Sequence, residues 1–463
     1  MPEKIFQGGY MSGDSYSASA YLAIEPNARI ILVKDTKETQ DKTDQVSMKF
    51  YRECGLAGRV DLIDISGAAI KVKELWTAVK DNYKERAPAP TKQTFVGAPT
   101  TTDQLLSRIY YDIVPKNSWP RAITAVTGLL ANAFETDYGD SAKKVADLWK
   151  IGKFDTDTKF ALWEYAGTRF AKTGVDNIRN NIVVIWSRQS GKKGGAHVEL
   201  DSSYAGIKQI VDYFAPAKAT VILAGDERNG KLAALAAGST QVVNCAEMWK
   251  DKFWTDHFAG VPVLAQLAFF KFLEEGFKVI HVGMRSGMLE TMGLLGMTTF
   301  YLEPAECPSG SRMMAFSRAN IPYTRVQIQA PPGLTAWDAQ TSIESGIPAP
   351  SLNGWHNKLS GQVDFLMRNV SYRDFYYSGP RGRRVFHQGQ AERDAEIYAK
   401  AKIMLEKSLN PRAPDFKAAR DKILEDLLKK SPDTVKAELK AMRGFYQTDL
   451  NKITRAIESQ FRT

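Results

Sequence analysis

Short apolar runs alternate along this chain with stretches whose apolar positions recur at helical spacing, the pattern of parallel strands joined by crossover helices. Lys4 to Tyr10 predicts a strand entering a glycine turn, and a helix rich in small residues starts at Ser12. Arg29 to Val33 is an apolar run of strand length, which predicts a strand covered on both faces. The same grammar predicts a helix from Met48 to Cys54, strands at Val60 to Ile65 and Thr94 to Val96 with a helix between them, and then mainly helix from Leu105 to about Arg169. A second start follows at Ile182 to Trp186. Strands are expected from there at Thr220 to Ala224, Gln241 to Asn244, Lys278 to Val282, Thr298 to Leu302 and Arg325 to Gln329, with helices between them, including one from Val263 to Glu275.

Pro331, Pro332 and Gly333 punctuate the exit from this second series, and charged helical segments dominate from Gln388 onward. The expected units are 1–175, 176–350 and a mainly helical 351–463. A chain of 463 residues fits that division, because single cores stop growing near ~250–300 residues. The N-terminus lacks the basic and apolar regions of a secretory signal. The most apolar stretch, Val261 to Phe272, is broken by Gln266 and Lys271 and falls short of the ~20 apolar residues of a membrane span. Cys54, Cys245 and Cys307 show no paired spacing, and a cytoplasmic location is expected. The net charge of +10 admits a polyanionic partner, although solvated helix faces in the C-terminal third account for much of it.

Ligands of open α/β sheets bind beyond the carboxyl ends of strands, so the loops there are where chemistry is sought. Three stand out. Gly8, Gly9 and Gly13 follow the first strand and let backbone approach a ligand, although a tight turn explains them equally well. Asp14 reads either as a helix cap or as a general base. Arg188, directly after the strand ending near Trp186, is suited to a forked contact with a diphosphate that Lys192 and Lys193 would help neutralise. Arg285, Ser286, Gly287 and Glu290 form a small-residue turn opening an apolar helix, whose first N–H groups suit an anion; capping by Ser286 and dipole compensation by Glu290 are the plainer alternative. The five histidines have no metal-ligand spacing, and neither a phosphate-loop motif nor a nucleophile elbow is present. The aromatic group Tyr372, Phe375, Tyr376 and Tyr377 beside Arg381, and Trp355 with His356, read as packing or as stacking surfaces.

The glycine loop with Asp14, the strand-terminal Arg188 and the Arg285-to-Glu290 helix start together resemble the two-domain GT-B glycosyltransferases. That resemblance implies two Rossmann-like parallel-sheet domains facing a cleft, with acceptor on the N-terminal side and nucleotide-sugar donor on the C-terminal side. It implies a metal-independent transferase with no cofactor, using a nucleoside-diphosphate sugar. Gly9, Gly13, Arg188, Lys193, Arg285, Ser286 and Gly287 would hold the donor and its phosphates, Glu290 and Glu303 its hydroxyls, and Asp14 would be the base. The acceptor is open, a nucleic acid among the candidates. A nucleotide-sugar epimerase, or a nucleotide- or nucleic-acid-binding protein without catalysis, are the alternative readings.

Overall fold

The computed structural model describes residues 3–328, apart from 10, 35–42, 66–69, 71, 86–87, 115–116, 152–153, 189–201, 203, 228–229, 259–260 and 305–309, together with 445 and 447–462. The first sheet contains β1 (Lys4–Gly8), β2 (Arg29–Lys34), β3 (Val60–Asp64) and β4 (Arg121–Ala122) in the order β3-β2-β1-β4, all parallel. The second contains β5 (Asn181–Ser187), β6 (Thr220–Gly225), β7 (Val242–Ala246), β8 (Lys278–Met284), β9 (Thr299–Pro304) and β10 (Tyr323–Ile328) in the order β10-β9-β8-β5-β6-β7, again parallel. Central strands β5, β6 and β8 are buried along almost their whole length, as their unbroken apolar runs require. Edge strand β3 instead leaves Leu62 exposed and uses Asp61 to pair with Arg29 and Lys4.

The helices used below are α1 (Ser15–Ile24), α2 (Val72–Glu85), α3 (Thr102–Arg108), α4 (Val126–Thr136), α5 (Tyr138–Leu148), α6 (Thr156–Arg169), α7 (Tyr204–Phe214), α8 (Lys231–Ala237), α9 (Leu267–Leu273), α10 (Gly287–Leu294), α11 (Gly310–Arg318) and α12 (Gln447–Phe461). Between the two sheets lies a shared helical layer: α1 packs on α10, and α4 packs on α11. One apolar cluster runs through it without a break, from Leu22, Leu130 and Phe134 to Phe269, Leu289, Phe316 and Tyr323. Separate cores cover the outer faces. Phe6, Ile31 and Val33 pack with α2 and α3 on the first sheet, and Val183, Val221 and Ile280 pack with α7 and α12 on the second.

Three local expectations change. Thr94 to Val96 is not a strand: Val96 projects fully into solvent, and Gly97 at φ 89 turns the chain away, so no neighbour exists to pair it. The first sheet's edge is completed instead by Arg121–Ala122, expected to begin a helix, because Ile5 and Phe6 of β1 offer it a parallel partner. The helix expected from Val263 to Glu275 is divided into Pro262–Ala265 and Leu267–Leu273 around Gln266, whose fully buried amide donates to the Val263 carbonyl. Of the helical region expected over 351–463, the residues up to 444 and 446 lie outside those described, and with them the aromatic group around Tyr376. Its final part is α12, an amphipathic helix that buries Ile453 and Ile457 on the second sheet. Among the described residues no helix is long and apolar enough to cross a membrane.

Candidate functional site

Strand order places the site. In the second sheet the chain runs outward from β5 to β6 and β7, then returns to start again at β8 on the other side of β5. Connections on the two sides cover opposite faces, which leaves a crevice at the carboxyl ends of β5 and β8. Arg188 follows β5, and Arg285 follows β8. The first sheet reverses in the same way between β1 and β4, and the glycine loop follows β1.

That loop is held by a buried polar network. Gln7, fully enclosed, donates through Nε2 to Ser15 Oγ (2.9 Å) and to the Met11 carbonyl (3.1 Å), and its Oε1 accepts from the Tyr51 hydroxyl (2.6 Å). Gly9 is required by close packing, since a Cβ there would meet Thr43 Oγ1 at 1.7 Å and the Val33 carbonyl at 3.0 Å. Asp14 ends a 3₁₀ turn directly before α1 and makes no side-chain capping bond to that helix, so the cap reading falls. Helical backbone already precedes α1, and the geometry in which a side chain reaches back to the next N–H groups does not arise.

On the facing side, Ser286 is the N-cap of α10, accepting from the Leu289 N–H at 3.1 Å. The plainer reading of Ser286 therefore applies to its side chain, while the Gly287 and Met288 N–H groups remain part of the helix's electropositive end. Glu290 is buried and accepts from Ser17 Oγ of α1 at 2.8 Å, so it bonds across to the first domain. Gly287 meets the glycine loop itself: a Cβ on it would lie 2.3 Å from the Gly13 carbonyl oxygen. The two loops singled out in the sequence thus touch. Gly287→Ala should force them apart and lower stability by about 1–3 kcal/mol, read as a lower denaturant midpoint; an unchanged midpoint would show that this contact yields freely.

Arg285 and Glu303 form a second cluster. Glu303 has no exposed side-chain surface and sits between Arg285 Nε (3.1 Å) and Arg325 Nε (2.8 Å). Neither carboxylate oxygen accepts an aligned hydrogen bond, so the attraction is chiefly Coulombic. Glu303 thereby steadies the guanidinium at the end of β8. Above it the rings of Tyr301 and Tyr323 stack at 4.4 Å, and burial followed by nearby carboxylates raises both phenols well above their ordinary range.

Arg188 is anchored through its main chain to Ser202, whose Oγ accepts the Arg188 N–H at 2.9 Å. Lys192 and Lys193 lie outside the described residues. One residue at the rim escaped the sequence reading. Asp226 follows β6, whose last residue Gly225 takes φ 87 and has no room for a Cβ, which would lie 2.1 Å from the Ser187 carbonyl oxygen. Its N–H donates to that carbonyl at 2.9 Å, and its charge adds to the burial that raises the Tyr16 phenol of α1. A strand ending in Gly-Asp was the available signal. Among the described residues no group of three or more His, Cys, Asp or Glu side chains is gathered as metal ligands.

The architecture is of the two-sheet parallel α/β class. Two Rossmann-like parallel sheets present their switch points to one another, with a helix at the C-terminus packed on the second. No protein-family model matches the chain, and no curated protein matches it. Two solved structures are similar to it. E. coli ADP-heptose LPS heptosyltransferase II is 13% identical, with 70% of this chain and 90% of that chain covered and a TM-score of 0.31. E. coli heptosyltransferase WaaC with ADP is 8% identical, with 79% and 100% covered and a TM-score of 0.28.

Proposed function

We propose that this chain transfers a sugar from a nucleoside-diphosphate sugar to an acceptor, without a metal, where the two switch points meet. The observation that carries this reading is the approach of Gly287 to Gly13, which brings the α10 N-terminus and the loop after β1 into one place beside the β5 and β8 strand ends. In this reading the anomeric C–O bond breaks and its electron pair leaves with the diphosphate. Arg188, Arg285 and the first N–H groups of α10 stabilise the charge that develops there. Asp14 accepts the proton of the attacking acceptor hydroxyl. Glu303 holds Arg285, and Glu290 ties α10 to α1, which are supporting roles instead of the contacts to donor hydroxyls implied by the resemblance.

The test is a thermal-shift screen against UDP, GDP, ADP, CMP, dTDP and NAD. A nucleotide at a hundred times its Kd should stabilise the protein by about 2.7 kcal/mol. One nucleoside diphosphate is expected to do so, and Arg188→Ala is expected to abolish the response while leaving the unliganded Tm within a few degrees. Silence across the panel, or a response to NAD alone, sinks the proposal. Arg285→Ala is the poorer test because it also strips Glu303 of a partner.

A further inference from the structure

The C-terminal segment reaches the same end of the second sheet as the candidate loops. Phe445 is buried, and the side-chain amide of Gln209 on α7 holds its main chain at two points. The Phe445 N–H donates to Gln209 Oε1 at 2.6 Å, and Gln209 Nε2 donates to the Phe445 carbonyl at 3.2 Å. The ring lies against Gly206, where a Cβ would come within 2.9 Å of it. Helix α12 secures this seat from the other side: Glu458 accepts from the Tyr213 hydroxyl at 3.0 Å and pairs with Lys218 at 2.6 Å.

What the ring lines matters for the site. Phe445 lines a small apolar pocket at the ends of β5, β8 and β9 together with Trp186, Met284 and Leu302, and Ser202 forms part of the wall. Ser202 is the residue that holds Arg188. Its Oγ accepts the Arg188 N–H at 2.9 Å, its N–H donates to the Arg188 carbonyl at 2.8 Å, and its hydroxyl reaches the Trp186 carbonyl at 3.4 Å. The groups that fix the Arg188 main chain therefore share a pocket with Phe445.

We infer that Phe445 is a positioning residue for Arg188: its ring forms one wall of the pocket whose other walls include Ser202 and Trp186, and so fixes the main chain from which the Arg188 guanidinium reaches a diphosphate. The inference rests on the reading of Arg188 as a phosphate contact. Removing the ring leaves a void that its lining relaxes into only partly, and the residues free to relax here include Ser202. A segment that only added stability would, when weakened, lower protection throughout the second domain.

The test is backbone amide exchange on the full-length chain, with inorganic pyrophosphate binding as the second readout. In Phe445→Ala the Arg188 and Ser202 amides are expected to exchange about tenfold faster while those of Val183 and Ile280 in the central strands keep their protection. Pyrophosphate should bind about tenfold more weakly, and Phe445→Leu should restore both readouts. Gln209→Ala removes the two-point hold without opening the core, and carries the test if Phe445→Ala does not fold. Unchanged exchange at Arg188 and Ser202, or acceleration spread evenly over the domain, overturns the inference. Failure of the wild-type chain to bind pyrophosphate or any nucleotide overturns the phosphate role of Arg188 instead, with the exchange result still deciding whether Phe445 holds the Arg188 and Ser202 main chain.

Discussion

Replacing Glu303 with alanine is expected to lower stability by about 3–5 kcal/mol, more than any other single change to the site's polar groups. The carboxylate is enclosed between two guanidinium groups whose side chains are 8% and 22% exposed. As an intact triad it contributes little net stability, because the desolvation cost of the charges offsets much of their attraction. Removing this carboxylate leaves two neighbouring cations that repel each other, each without its pairing to Glu303. Glu303→Gln should recover only part of the loss, since it restores shape and an acceptor oxygen but not the charge. Arg325→Ala should cost less than Glu303→Ala, because Arg325 is the more exposed cation and Glu303 keeps Arg285. Urea titrations with constant slope would measure all three. A Glu303→Ala midpoint close to wild type would mean that the carboxylate is protonated or hydrated in the folded protein.

Acid should destabilise the chain well above the pH at which carboxylates titrate, through His281. Its Nδ1 accepts from the Trp186 indole N–H at 3.0 Å, an arrangement that requires the neutral ring. Burial, aided by the Lys271 charge, holds its pKa down to about 3, against an ordinary 6.5. The unfolded chain therefore binds a proton between these values and the folded chain does not. The stabilisation is complete above pH 6.5 and is lost as pH falls toward 3, at up to about 1.4 kcal/mol per pH unit. Asp61, whose carboxyl is lowered by hydrogen bonds from Arg29 and Lys4, adds a loss of the same sign only below its ordinary range. Glu274, raised by burial, works in the opposite sense. The difference between wild type and His281→Gln from pH 7 to pH 5 isolates the histidine. The wild type should lose stability across that interval and the variant should not. Parallel curves would show that the ring is protonated in the folded state.

The loops expected to carry chemistry were legible because the needs of a strand-to-helix turn are written locally. Gly9 announced close backbone approach, and Ser286 with Gly287 announced a helix start, whereas a Cβ at Gly13 would meet open space. Their partners were not legible. Nothing near Gly287 in the chain says that its neighbour is Gly13, and nothing near Glu290 indicates Ser17, 273 positions away. Glu303 has the chemistry of a residue that binds hydroxyls, and only its enclosure between Arg285 and Arg325 makes it a support for the β8 end. Asp226 carried too little local signal to separate it from any carboxylate after a strand.

The sequence alone determined most of the strands, because apolar period is a local property: two-faced burial reads as an unbroken run in β2, β5, β6 and β8. It also determined that strands would be parallel, because each is followed by a helical crossover. The tertiary structure decided the strand orders, the two switch points, the helical layer shared between the sheets and the seating of Phe445 beside Ser202. It decided, too, that Thr94 to Val96 would stay unpaired while Arg121–Ala122 joined β1. Those outcomes depend on which surfaces meet after the chain has turned back on itself, and contacts between residues a hundred or more positions apart leave no periodic trace in either segment.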